Sequence, residues 1–390
     1  MIMPLRRALP LLAALASPGI ASAADTLSEC RAPAVLDDGW AVAAPAGEGF
    51  EPALLCALGP ALTAWTEGNA HAVLVARHGR LVYERYFAGE DQIWGRPLGR
   101  IPHDAGTKHD LRSITKSVTA LLVGIAVDTG WIKDIDAPAL SLLPQYADLR
   151  SPETDRITLR HLLTMSSGLA WNEELPYSDP RNSERLMSDA PDPYRYVLEQ
   201  PFAAAPGERF TYSGGATALL SAVLKQVSGR PLDVLAREVL FAPLGIADAE
   251  WVRYPNGDPI AASGLRLRPR DIARIGQLVL DRGAWQGKQI VSAAWIEQAT
   301  APQITVEDQV DYGFQWWLGR SLVDGREVRW AAGLGWGGQR LFLVPSAEVL
   351  VVITAGLYDR PDLQDQLARM VLERHVLPAV MGPDGSGPKH

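Results

Sequence analysis

The sequence holds only two cysteines, Cys30 and Cys56, in 390 residues. So sparse a supply excludes a disulfide-scaffold protein and leaves no cysteine cluster for structural zinc. Long basic runs are missing as well: 37 Lys and Arg face 45 Asp and Glu, for a formal net charge of −8. That balance argues against nucleic acid or an anionic membrane surface as partner. No apolar run is long enough to span a bilayer. No serine sits in Gly-x-Ser-x-Gly, so an α/β-hydrolase elbow is not indicated. No histidine opens a His-Glu-x-x-His motif, and the seven histidines do not cluster at ligand spacing, so no metal site is expected. Gly333-Leu334-Gly335-Trp336-Gly337-Gly338 does match Gly-x-Gly-x-x-Gly. The residues after it read as a strand, however, where a dinucleotide site needs a helix.

What is present describes an ordinary globular chain, 47% apolar and 21% charged, with enough length for a large core. The first 23 residues read as a secretory signal peptide. Arg6 and Arg7 precede the apolar run 8–16, and Ala21-Ser22-Ala23 offers small residues for cleavage after Ala23. The expected location is therefore the periplasm or the medium. In an oxidising compartment Cys30 and Cys56 are able to bridge, though spacing leaves two free thiols equally open.

Two β-rich runs, Ala72–Ala76 and Leu81–Phe87, flank His78-Gly79-Arg80 and predict a hairpin. A second hairpin is expected late, with Arg340–Val344 and Val349–Thr354 joined by Pro345-Ser346-Ala347-Glu348. Residues 361–378 carry an amphipathic helix pattern opened by Pro361, and the last ten residues read as a loose tail. Residues 51–67 have near-helical spacing that Gly59-Pro60 is expected to break. Between the hairpins, the best helices are 112–128, 157–166, 215–229 and 270–282. The proline-rich stretch 172–209 is expected to be irregular and to line a site. The layout predicts an α+β fold: one antiparallel sheet from both chain ends (about 45–110 and 285–380), with an α-rich lobe (about 111–284) inserted.

Leu111-Arg112-Ser113-Ile114-Thr115-Lys116-Ser117-Val118 contains Ser-x-x-Lys at a helix start. Three residues apart, Ser113 and Lys116 share a face, within reach of amine and hydroxyl. The helix carries almost no charge after Lys116, which predicts burial. A desolvated lysine would have a lowered pKa and act as a base. A capping serine with a solvated lysine is the plain alternative. The second segment, Pro206–Gly215, sets Tyr212 in a glycine-rich turn just before a helix. Held beside a lysine, its hydroxyl would have a lowered pKa and shuttle protons. In the third, Ala332–Gln339, small residues allow a substrate close to a strand's backbone, or mark a tight hairpin corner.

With these three segments in order, the chain resembles the serine β-lactamase and DD-peptidase superfamily. It looks most like the branch of class C-like enzymes, family VIII esterases and 6-aminohexanoate-dimer hydrolases. The stretches 157–173, 240–246, 261–285, 312–319 and 337–345 are similar to the family too. The resemblance implies that Ser113 is the acylated nucleophile, Lys116 its proton acceptor and Tyr212 the acid/base for the leaving group. It also implies an oxyanion hole from the backbone N–H of Ser113 and one near Leu334, with Gly214, Gly333 and Gly335 against the substrate. No metal or organic cofactor is implied. Two departures stand out. Gly214 replaces an asparagine common in the second motif, and Ala331-Ala332-Gly333 lacks the basic residue of true β-lactamases and DD-peptidases. That loss favours small amides or esters over β-lactams and peptidoglycan peptides. A non-catalytic protein that binds cell-wall fragments is the alternative of another class.

Overall fold

The computed structural model describes residues 30–382. The signal peptide expected over 1–23 and the tail beyond 382 lie outside the described residues. A nine-stranded, mainly antiparallel sheet forms the backbone of the fold. Its strands, in chain order, are β1 (Ala41–Val42), β2 (Ala70–Arg77), β3 (Arg80–Tyr86), β4 (Ile304–Glu307), β5 (Val310–Tyr312), β6 (Trp317–Val323), β7 (Arg326–Gly335), β8 (Gln339–Val344) and β9 (Val349–Ala355). In space the order is β1-β3-β2-β9-β8-β7-β6-β5-β4. Only β1 pairs in parallel, on β3. Both expected hairpins are present, and β9 closes the sheet by pairing with β2. The two ends of the chain thus meet in one sheet, with the helical segments between them.

The central strands are apolar on both faces because both are covered. In β2, Ala72, Leu74 and Ala76 enter the larger core, shared with the inserted helices. Val73 and Val75 enter a second core under the terminal helices. The main helices on the first side are α1 (Ile114–Asp128), α2 (Leu159–Leu163), α3 (Gly214–Ser228) and α4 (Pro269–Leu280). Helix α1 is buried from Ile114 through Ala126, as its lack of charge predicts. It runs through the centre of the molecule, in contact with α3 and with β7.

Three local expectations need correction. Gly59-Pro60 does not break the helix there: the break falls at Ala57, and Pro60 sits in the first turn of Leu58–Ala64, where no N–H is needed. The stretch 172–209 is not wholly irregular. It holds the helices Ser183–Asp189 and Pro193–Leu198, the second opened by Pro193 and capped by Asp192. Helical structure also continues from Pro361 to Met381, through a wide π-helical segment over Met370–Val376, past the end expected at 378.

Cys30 and Cys56 are bridged, with Cα atoms 5.6 Å apart, and tie the first described residue to the helix Pro52–Cys56. Among the described residues no helix is long and apolar enough to cross a membrane.

Candidate active site

Ser113 stands at the N-cap position of α1, without a side-chain cap bond, and is partly exposed, while the residues on either side are buried. Its position is fixed from behind. Thr115 Oγ1 donates to the carbonyl of Arg112 at 2.6 Å and accepts from the N–H of Leu265 at 3.3 Å. The N–H of Leu111 bonds to the carbonyl of Leu265 at 2.9 Å, and Thr119 Oγ1 to that of Ala261 at 3.0 Å. Segment 261–265 is therefore stitched along the first turns of α1. Gln315 does the same from the opposite side: its backbone carbonyl accepts from Ser117, and its side chain bridges Thr217 on α3 and the carbonyls of Leu162 and Leu163 on α2.

One turn into α1, Lys116 points back to the serine. Nζ donates to Ser113 Oγ at 3.1 Å and to the carbonyl of Ala262 at 3.3 Å, with the side chain only 1% exposed. Tyr212, at the mouth of α3, stacks its ring 4.7 Å from the same ammonium. Ser113, Lys116 and Tyr212 are thus brought together as the sequence predicts.

Their ionisation is not as predicted. Burial, the largest influence on Lys116, acts to lower its pKa. Tyr212, Glu173 and Glu184 outweigh it, and the net shift is upward, so the resting side chain is an ammonium. Tyr212 is also raised: burial dominates, and the nearby Lys116 does not cancel it. The expectation of a lowered lysine and a lowered tyrosine failed because the sequence gives no sign of the acids that surround them.

Those acids are Glu173 and Glu184. Glu173 Oε1 lies 3.7 Å from Lys116 Nζ, and Oε2 accepts from Trp171 Nε1 and from the backbone N–H of Gly214, both at 2.6 Å. Burial first and the neighbouring Glu184 second push its carboxyl up to about 7, against the pull of Lys116. A Cβ on Gly214 would stand 3.2 Å from Glu173 Oε2 and 3.3 Å from Glu184 Oε1. The two carboxylates therefore fill the room beside Gly214, the position for which the resemblance implies an asparagine. The only sequence signal for Glu173 was the Trp171-Asn172-Glu173 end of a family-like stretch, and Glu184 had none.

The third segment forms the far wall. Pairing of β7 with β6 stops at Ala332, whereas pairing with β8 continues to Gly335. Among the described residues Gly333–Gly335 therefore has one edge without a strand partner, and one face of its glycines packs against the Leu111–Ser117 segment. A Cβ on Gly335 would come 2.3 Å from the carbonyl of Leu111, and one on Gly333 would come 3.3 Å from Ser117 Oγ. Leu334 is half-buried between them. Aromatic rings complete the cleft, a feature missed in sequence. Trp317 packs on Tyr212 and Tyr312 at 5.5 and 5.1 Å, and Phe210 lies 5.1 Å from Tyr312.

The histidine expectation also needs correction. Far apart in sequence, His71, His103 and His109 come together with Asp91 once the strands pair.

A serine hydrogen-bonded by a buried lysine one turn along, with a tyrosine over that lysine and a glycine strand opposite, is the kind of arrangement a serine hydrolase needs, on a β-lactamase-like fold. The family model described as Beta-lactamase matches residues 66–373, and the chain belongs to that family. It is 27% identical over 304 residues to the 6-aminohexanoate-dimer hydrolase of Paenarthrobacter ureafaciens, covering 72% of this chain and 71% of that protein. It is 31% identical over 189 residues to esterase EstB of Burkholderia gladioli, covering 46% of each. Among solved structures, EstCE1, described as a hydrolase with promiscuous acyltransferase activity, superposes with a TM-score of 0.63 at 19% identity, covering 81% of this chain and 97% of that one. The penicillin binding protein of Bacillus halodurans superposes with a TM-score of 0.61 at 20% identity, covering 80% and 99%. These two likenesses concern the fold.

Proposed function

We propose that this chain is an exported serine hydrolase that cleaves an amide or ester bond through an acyl-enzyme on Ser113. The observation that carries the reading is the 3.1 Å hydrogen bond between Lys116 Nζ and the Oγ of the partly exposed Ser113. In the first half-reaction Ser113 Oγ attacks the carbonyl carbon as its proton passes to Lys116. Because the resting lysine is an ammonium, it must first give up a proton, and Glu173 is the nearby carboxylate able to take it. Tyr212 then delivers a proton to the departing amine or alkoxide. Water repeats the sequence in reverse and frees Ser113. The backbone N–H groups of Ser113 and of the Leu334 segment serve as the oxyanion hole.

Short-chain esters and amides of the 6-aminohexanoate-oligomer type are the favoured substrates. The named activities of the amidase and esterase relatives support this choice, as does the alanine pair Ala331-Ala332 where β-lactam-processing enzymes carry a cation. The bridged Cys30–Cys56 pair supports export to an oxidising compartment.

The test is a panel of p-nitrophenyl esters, 6-aminohexanoate dimer, nitrocefin and D-Ala-D-Ala peptides. Intact-mass spectrometry after a fluorophosphonate probe accompanies it, on wild type and Ser113→Ala. Turnover of the first two groups and an adduct lost in the variant are expected. Faster turnover of nitrocefin or the peptides overturns the substrate choice, and a wild type that forms no adduct favours a binding protein.

A further inference from the structure

Apart from the reacting groups, His71, Asp91, His103 and His109 form a buried cluster to which the reaction above gives no task. His71 lies on β2, Asp91 on the strand Gly89–Ile93, and His109 in the segment that leads into Ser113. The side chains of His71, Asp91 and His109 are at most 1% exposed. Nδ1 of His71 faces Nε2 of His109 at 2.8 Å. Asp91 Oδ1 lies 4.0 Å from the first and 3.5 Å from the second.

The surrounding hydrogen bonds decide which nitrogens carry protons. Asn69 Nδ2 donates to the carbonyls of Glu90 and Gly356 at 2.7 and 3.1 Å. Its Oδ1 is therefore the atom 3.2 Å from His71 Nε2, which must donate to it. His109 Nδ1 lies 3.0 Å from the carbonyl of Asp110 and must donate there. In each neutral ring the single proton is thus turned outward. The two nitrogens that meet at 2.8 Å both present lone pairs, beside a carboxylate oxygen. Three electron-rich atoms packed this closely need a cation among them. A far ring nitrogen donating to a carbonyl oxygen is also the arrangement that orients metal-binding histidines.

We propose that His71 Nδ1, His109 Nε2 and Asp91 Oδ1 bind a divalent transition metal, with zinc the ion that best suits two imidazoles and one carboxylate. Bonds of about 2.0–2.2 Å at tetrahedral angles require the facing nitrogens to part by only about half an ångström. His103, stacked on His71 at 4.0 Å, has a buried Nε2 without a hydrogen-bond partner and is the nearest further donor. The ion joins three segments: the central strand β2, the strand after the first hairpin, and the approach to the nucleophile. Its role is to hold that approach in place.

The test uses untagged full-length protein expressed with added zinc, desalted, and assayed for metal by plasma mass spectrometry. The metal-free protein is then titrated with Co2+ and with Zn2+. Expected are one zinc per chain, visible Co2+ ligand-field bands, and a Tm raised by roughly 3–5 °C at saturating Zn2+. Asp91→Ala and His109→Ala should each weaken Zn2+ binding by about tenfold or more. If both variants fail to fold, the Co2+ bands and Tm shift of the wild type still decide. A wild type with no stoichiometric metal, no Co2+ bands and no Tm shift overturns the site, and leaves a shared proton between the rings. Stoichiometric zinc retained by a folded His109→Ala protein overturns it equally.

Discussion

Glu173 Oε1 stands 3.7 Å from Lys116 Nζ, while the other oxygen of the same carboxylate holds the N–H of Gly214 at 2.6 Å. Lysine and glutamate therefore share one buried compartment, behind the serine. With the carboxyl pushed up to about 7 and the ammonium favoured on the lysine, the resting proton stays on the lysine, and only the ionised carboxylate is able to assist its removal. In the proposed reaction, that assistance frees the amine to act on Ser113.

Activity should consequently rise with pH through about 7, as Glu173 loses its proton and becomes able to accept one from Lys116. A pH profile of kcat/KM on a p-nitrophenyl ester reads this directly. Glu173→Gln should lower kcat/KM by about 100-fold and erase the rise. A variant that keeps the same limb would place the titration on another group.

The same carboxyl should cost stability where it ionises. A carboxyl that titrates at about 7 when folded, above its ordinary 4.5, binds its proton more tightly in the folded chain. Folding therefore loses stability as pH climbs from about 4.5 to about 7, and none of that cost exists at lower pH. Glu173→Gln, neutral throughout, should therefore lose less Tm than wild type between pH 4 and pH 8, even as it loses activity. Thermal melts of both proteins at the two pH values check the sign.

Tyr212→Phe separates chemistry from packing. The ring remains 4.7 Å from Lys116 Nζ and 5.5 Å from Trp317, and only the hydroxyl is lost. Stability should change by no more than about 1 kcal/mol, while kcat falls by about 10²–10⁴-fold through the missing acid for the leaving group. The effect should be larger on an amide than on an activated p-nitrophenyl ester, whose leaving group needs little help. An equal loss on both would mean that the tyrosine acts before the leaving group departs.

The parts of this site legible in the sequence are those written in short segments. Ser113 and Lys116 are one helical turn apart, so a spacing rule suffices, and Tyr212 abuts its glycines directly. The hairpins at His78-Gly79 and at Pro345–Glu348 are equally local. Glu173 and Trp317 escaped because tertiary contacts place them: Trp171 aims the carboxylate through its indole N–H, and Trp317 meets Tyr212 only after β6 joins the sheet. The misread direction of the lysine shift has the same origin, since burial can be inferred from an uncharged helix whereas the acids around it cannot. Prolines misled in the opposite way. Pro60 and Pro193 read as breakers, yet both lie in the first turn of helices, where the ring's missing N–H does no harm.

The Cys30–Cys56 bridge encloses a sequence separation of 26 residues. Chain-entropy arguments put the worth of a loop that long at about 3 kcal/mol. Cys30→Ser/Cys56→Ser, or reductant on the wild type, should lower Tm by several degrees and leave kcat unchanged, because the bridge lies on the second core's side and not beside Ser113. Loss of kcat in the folded double variant would show that the N-terminal segment bears on the cleft.

Gly214 offers the sharpest test of why this chain has glycine where the resemblance implies an asparagine. A Cβ here would lie 3.2 Å from Glu173 Oε2, 3.3 Å from Glu184 Oε1 and 3.4 Å from the Cβ of Ala262. Asparagine at 214 enters only if Glu173 and Glu184 give way, which disturbs the carboxylate beside Lys116. Gly214→Asn alone should therefore be destabilised and nearly inactive. Glu173→Ala alone leaves a buried ammonium with less compensation and should also be destabilised. Together the changes exchange one polar group for another in the same space, since the new amide oxygen can accept from the ammonium that lost its partner. The double variant should therefore be more stable than the sum of the single losses predicts, by about 0.5–3 kcal/mol in a double-mutant cycle. Strict additivity would show that Gly214 and Glu173 do not compete for this space. Its activity then reads the two designs against each other: restored turnover without the rise near pH 7 would mean that an amide can orient Lys116 but only a carboxylate can exchange its proton.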